Sequence, residues 1–78
     1  MKPTVGRIVH YKSLGTANGE YPSTTYAAII TSVYSGNVVD LCVFYPNGLS
    51  FKLDIEYSER DEPGCWHWPT VIIPESGK

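Results

Sequence analysis

Long apolar runs are missing from this chain: nothing approaches the roughly 18 consecutive apolar residues of a membrane-spanning helix. No signal-peptide pattern follows Met1, so a soluble, unexported protein is expected. Cysteine is scarce. Cys42 and Cys65 are too few for a disulfide framework, and an intracellular setting keeps both as thiols. Basic residues are few, six against eight acidic ones for a net charge of −2. Non-specific duplex binding needs several Lys or Arg against phosphates, so DNA is not an expected partner. Two clustered cations would still hold one small anion. Catalytic signatures are lacking as well: no P-loop, no nucleophile elbow, no HExxH, and no carboxylate in an apolar setting that would raise its pKa. Cys65 and His67 flank Trp66, but only Cys42 and His10 remain to complete a metal site, so neither metal nor cofactor is expected. The chain reads as a non-enzyme.

What the chain does have is aromatic and β-branched residues. Apolar residues make up 42% and aromatics 13% of the 78 positions, ordinary for one folded domain and too high for a disordered segment. So short a chain buries only about 60% of its unfolded surface, which makes self-association a natural way to bury more. The expected organisation is a lead-in over residues 1–5, one β domain over 6–73 and a tail over 74–78.

The clearest pattern runs from Leu49 to Tyr57, with apolar residues at odd positions and polar ones at even positions, the mark of a strand with one wet face. Val38 to Tyr45 and Thr25 to Tyr34 precede it, both rich in strand-forming residues. A three-residue loop Pro46-Asn47-Gly48, with Gly48 left-handed, pairs Tyr45 with Leu49, Val43 with Phe51, Leu41 with Leu53 and Val39 with Ile55. Every such pair is apolar, and register follows that kind of match. Asp40 then falls opposite Asp54 with no evident compensation. A second three-residue loop, Ser35-Gly36-Asn37, pairs Val33 with Val39, Thr31 with Leu41, Ile29 with Val43 and Ala27 with Tyr45, and puts Asn37 in the left-handed region that Asn tolerates. Arg7 to Lys12 and Cys65 to Pro69 add two short strands, and Val71 to Ile73 is a possible edge strand. Five short strands without a helix predict a small SH3-like barrel around an antiparallel meander, with an OB-like barrel as the alternative.

Two loops remain, Ser13 to Ser23 and Ser58 to Gly64, the first long for so small a domain. In an extended Trp66-His67-Trp68 the two indoles share one face and the imidazole takes the other. Facing inward, the indoles seal the barrel; facing outward, they form a platform for a flat ring. Tyr11 and Tyr21 bracket the long loop, and Arg7, Lys12, Lys52 and Arg60 are the useful cations. The candidate ligand-binding set is Tyr11, Lys12, Tyr21, Tyr26, Arg60, Trp66, His67 and Trp68.

GRIVHY (6–11), EYPS (20–23), AAIIT (27–31) and CWHWP (65–69), taken in that order, resemble a family of small uncharacterised bacteriophage proteins. WHWP is the most specific element. The chain departs from the family at Tyr26, where a basic residue is common before the paired alanines, and at Cys65, where Thr is common. The resemblance implies a phage-encoded protein acting in the cytoplasm of an infected bacterium, with no catalytic residues to carry over. By analogy with small phage anti-defence proteins, it implies sequestration of a nucleotide-derived host signal, of cyclic dinucleotide or cyclic ADP-ribose type, by a homo-oligomer. The competing readings are a protein-binding inhibitor of a host enzyme and a minor virion or assembly component. A nucleic-acid-binding barrel is the remaining one.

Overall fold

Turn geometry decides which residues of this chain look inward. The structure, a computed structural model, describes residues 2–16 and 22–69. Tyr21, the possible strand Val71 to Ile73 and the tail lie outside the described residues. Among the described residues five strands form: β1 (Ile8–Lys12), β2 (Thr25–Val33), β3 (Val39–Tyr45), β4 (Gly48–Ile55) and β5 (Trp66–His67). They make one antiparallel sheet in the order β4-β3-β2-β1-β5. Strands β2 to β4 are the expected meander, and β1 is shared between β2 and β5. That order, with the long connection between β1 and β2, is SH3-like and differs from the Greek-key path of an OB barrel. The sheet closes where the chain leaving β4 meets β5. The Trp66 amide donates to the Glu56 carbonyl and the Ser58 amide to the Trp66 carbonyl, each at 3.0 Å, around a parallel bridge between Tyr57 and Trp66.

The register of the second hairpin differs from the sequence expectation. Its loop has two residues, Pro46 and Asn47, because Tyr45 pairs with Gly48. Gly48 is not left-handed; among the described glycines only Gly6, Gly15, Gly36 and Gly64 have positive φ. Phe44 therefore pairs with Leu49, Val43 with Ser50, Cys42 with Phe51 and Leu41 with Lys52. A one-residue slip turns the β4 side chains before the bulge to the other face. Leu49, Phe51 and Leu53, expected inside, lie exposed on the outside, while Ser50 and Lys52 turn inward. The expected pair Val39–Ile55 does form, because Leu53 and Asp54 together oppose Asp40 in a β-bulge and restore the register.

The first hairpin follows the same logic. Val33 pairs with Val39 as expected, and Asn37 has the expected left-handed backbone, φ 63°. Thr31 is then an extra residue on β2, so Ile30 pairs with Leu41 and Ala28 with Val43, where Thr31 and Ile29 were expected. Asp40 lies between the two bulges and holds them. Its carboxylate accepts the Tyr34 hydroxyl at 2.7 Å and the Asp54 amide at 2.9 Å. What Asp40 meets across the strand is thus the backbone N–H of Asp54, which has a left-handed φ of 56°. The hydrogen bond to Asp40 pushes the Tyr34 phenol pKa up, since it favours the neutral hydroxyl. Bulges increase local twist, and this pair helps a five-stranded sheet curl.

The core consists of Val9, Tyr11, Ala28, Ile30, Val39, Leu41, Val43 and Trp66, with Tyr26, Tyr45, Ile55, Tyr57 and Trp68 packed around it. Trp66 is the largest fully buried side chain. Its indole N–H donates to the Asn37 carbonyl at 2.9 Å, tying β5 to the first hairpin turn. Its ring meets Tyr57 and Trp68 edge-on, with centroids 4.8 and 5.1 Å away. An aromatic spine thus seals the barrel where the sheet closes.

Candidate ligand-binding cleft

The inward turn of β4 opens a cleft on the concave side of the sheet. Lys52 there occupies a place that an apolar side chain would fill in a fully packed barrel. The cleft has a volume of about 380 Å³ and is lined by Tyr11, Ser13, Leu14, Gly15, Thr16, Pro22, Tyr26, Tyr45 and Lys52. Tyr11 pairs with Tyr26 across β1 and β2. The Tyr26 and Tyr45 rings meet edge-on with centroids 4.5 Å apart. Burial pushes the Tyr11 phenol pKa up, with smaller contributions from Tyr45 and Cys65, so its hydroxyl stays protonated at neutral pH and can donate. Lys52 forms no ion pair with a carboxylate among the described residues. The combination of flat rings, a buried hydroxyl and one ammonium suits a ligand with a planar ring and an anionic group.

The long loop is pinned at its base. The Ser13 amide donates to the Thr24 carbonyl at 2.9 Å, and the Thr24 amide returns a bond to the Ser13 hydroxyl at 2.9 Å. The Ser23 hydroxyl donates to the Ser13 carbonyl. From the other side the Gly64 amide donates to the Lys12 carbonyl at 2.7 Å and the Lys12 amide to the Cys65 carbonyl at 3.1 Å. The cleft wall therefore leaves a fixed neck, and Gly15, at φ 75°, lies in that wall.

Of the eight candidate residues, the cleft brings together Tyr11 and Tyr26. Trp66 is a correction: it is fully buried and has no surface to offer a ligand. Lys12 lies outside the cleft and pairs with Asp61 at 2.7 Å, which pulls the Asp61 carboxyl pKa down. Arg60 is exposed in the 58–64 loop, also away from the cleft. Trp68 packs on Trp66, and the Arg7 guanidinium sits 5.6 Å from its ring centroid. His67 stands across β1 and β5 from His10, with ring centroids 5.5 Å apart. Burial, then the His10 charge, pushes its pKa down, with a smaller push from Lys12 and an opposing pull from Asp61, which favours the neutral imidazole. Burial pushes the Cys65 thiol up, away from the thiolate that nucleophilic chemistry needs. Among the described residues no three His, Cys, Asp or Glu side chains converge on a metal-sized space.

Besides the loop residues that line it, the cleft contains Lys52 and Tyr45, two strand residues missing from the candidate set. Lys52 was legible as a cation on a polar strand face, but the sequence register turned that face to solvent. Comparison of the chain with protein-family models, curated proteins and solved structures returned no match.

Proposed function

We propose that this chain is a non-enzymatic binding protein for a small nucleotide-derived anion, which it sequesters. One observation carries the reading: Tyr11, Tyr26, Tyr45 and Lys52 line a single cleft of about 380 Å³ beside a pinned, glycine-containing loop. That volume falls in the lower part of the roughly 300–1,000 Å³ range of small-molecule sites. Tyr26 or Tyr45 stacks the base, Lys52 neutralises the phosphate, and the Tyr11 hydroxyl fixes orientation. Base stacking on an aromatic ring tolerates any base, so specificity falls to the phosphate and sugar. The phage-like sequence pattern supplies the setting, the cytoplasm of an infected bacterium, and the ligand class, a cyclic dinucleotide or cyclic ADP-ribose type of defence signal.

Calorimetry and thermal-shift measurements against cyclic dinucleotides, cyclic ADP-ribose variants and their linear counterparts test the proposal. The expected result is saturable binding to one class, weakened about tenfold or more by Lys52→Ala and by Tyr26→Ala. Lys12→Ala and Arg60→Ala, outside the cleft, leave it unchanged. Ligand released by heating is recovered chemically intact. Silence across the panel, or binding indifferent to both cleft variants, would overturn the assignment.

A further inference from the structure

The face of the sheet opposite the cleft carries an unbroken apolar ladder. Successive cross-strand partners are Ile8 and Ile29, Ile29 and Cys42, and Cys42 and Phe51, a row running through four strands. The neighbouring row places Ala27 beside Phe44 and Phe44 beside Leu49, with Leu53 continuing the β4 side. Ile8, Phe44, Leu49, Phe51 and Leu53 are 42 to 69% exposed. None of these positions carries a charged residue; His10, opposite Ala27, ends the second row, and Asp40 and Asp54 border the patch at Leu53. Each of the five exposed side chains presents on the order of 100 Å², giving a patch of roughly 500–600 Å², the upper end of what a monomer carries.

We infer that this outer face is a self-association surface, on which two copies of the chain pack face to face around a two-fold axis. Three observations favour a second copy over another occupant. The face is a sheet surface without a groove, and sheet faces stack on one another at about 10 Å with interdigitated side chains. Pairing two identical patches buries roughly 1,000–1,200 Å², the threshold for a stable interface, and a two-fold axis sets each patch on itself without requiring a complementary charge. The chain's net charge of −2 gives two copies little mutual repulsion. The pairing leaves both clefts on the far sides of the dimer, so ligand binding and self-association are separable.

Analytical ultracentrifugation of the full chain from about 1 to 300 µM tests this. The expected species is a dimer, with Phe51→Glu and Leu49→Lys each weakening association at least 100-fold because a charge is placed at the centre of a dry interface. Since Phe51 and Leu49 are exposed in the single chain, both variants keep its far-UV circular dichroism; Phe51→Ala gives a milder loss and guards against misfolding of the charged forms. The cleft variant Lys52→Ala leaves the dimer intact. A wild-type chain that stays monomeric throughout, whether or not it captures some other protein, overturns the inference, as does a dimer indifferent to all three face variants.

Discussion

Replacing Trp66 by Phe asks whether this indole holds the barrel shut. The substitution keeps one aromatic ring in the core but removes the fused pyrrole and its N–H. The lost ring atoms amount to about two buried methylene-sized groups at ~0.8 kcal/mol each. The hydrogen bond to the Asn37 carbonyl adds about 1 kcal/mol net. Asn37 is exposed, so water re-solvates its carbonyl and the larger penalty for a buried orphan does not apply. The sum is about 2.5 kcal/mol. For 78 residues total stability is on the order of 4–12 kcal/mol, so the variant folds but is conspicuously weakened. In urea, with m near 1 kcal/mol/M, the midpoint falls by roughly 2–2.5 M with m unchanged. The thermal midpoint drops by roughly 10–20 °C. Trp68→Phe, at a half-buried position, is the matched control with a smaller expected loss. A Trp66→Phe midpoint within about 0.5 M of wild type, or no lower than that of Trp68→Phe, would refute the account of Trp66 as the seal.

Stability falls as pH drops from 7 through 6.5 and below, because the unfolded chain protonates His67 at a higher pH than the folded one. His67→Gln flattens that slope in urea midpoints measured across the window; an unchanged slope assigns it elsewhere. Asp61, whose carboxyl pKa is lowered by Lys12, contributes in a separate window, losing its effect only as pH falls below the ordinary carboxylate range. Asp40→Ala removes the acceptor shared by Tyr34 and Asp54 and costs about 2–3 kcal/mol. In a double-mutant cycle Tyr34→Phe then adds less on that background than on wild type. Gly64→Ala places a Cβ 3.0 Å from Leu14 Cδ2 at a backbone φ of 82°. The methyl end of Leu14 can swing aside, so the left-handed backbone sets the cost, about 1–2 kcal/mol in a thermal melt.

The sequence disclosed the strands and the central meander because alternation, β-branching and turn residues act locally. It disclosed the Ser35–Asn37 turn for the same reason, and with it the Val33–Val39 pair. What it concealed was the facing of β4. Two hairpin loops around Pro46 differ by one residue, and local chemistry hardly separates them. Counting apolar matches favoured the wrong one, since that count assumes that the apolar face of β4 is the buried one, whereas Leu49, Phe51 and Leu53 are exposed. The bulges at Thr31 and at Leu53–Asp54 left only a faint trace, Asp54 being a residue type that tolerates positive φ. The cleft was half legible for the same reason. Tyr11 and Tyr26 stood out by position, whereas Lys52 becomes a cleft residue only once β4 is turned over.

The position of β5 also bears on how the chain reaches its fold. Pairs within the β2–β3–β4 meander join residues close in sequence, whereas Tyr11 and Trp66 come from near opposite ends. Bringing them together closes a long loop, an entropic cost that must be met before the contact is formed. The meander is thus the natural early structure, and docking of the Trp66 segment between β1 and the residues after β4 is the committing step. Amide protons of Trp66 and Ser58 should accordingly exchange only through global opening, despite belonging to the shortest strand and to a loop. The two-residue strand that completes the barrel would then be among its last parts to form and its slowest to exchange.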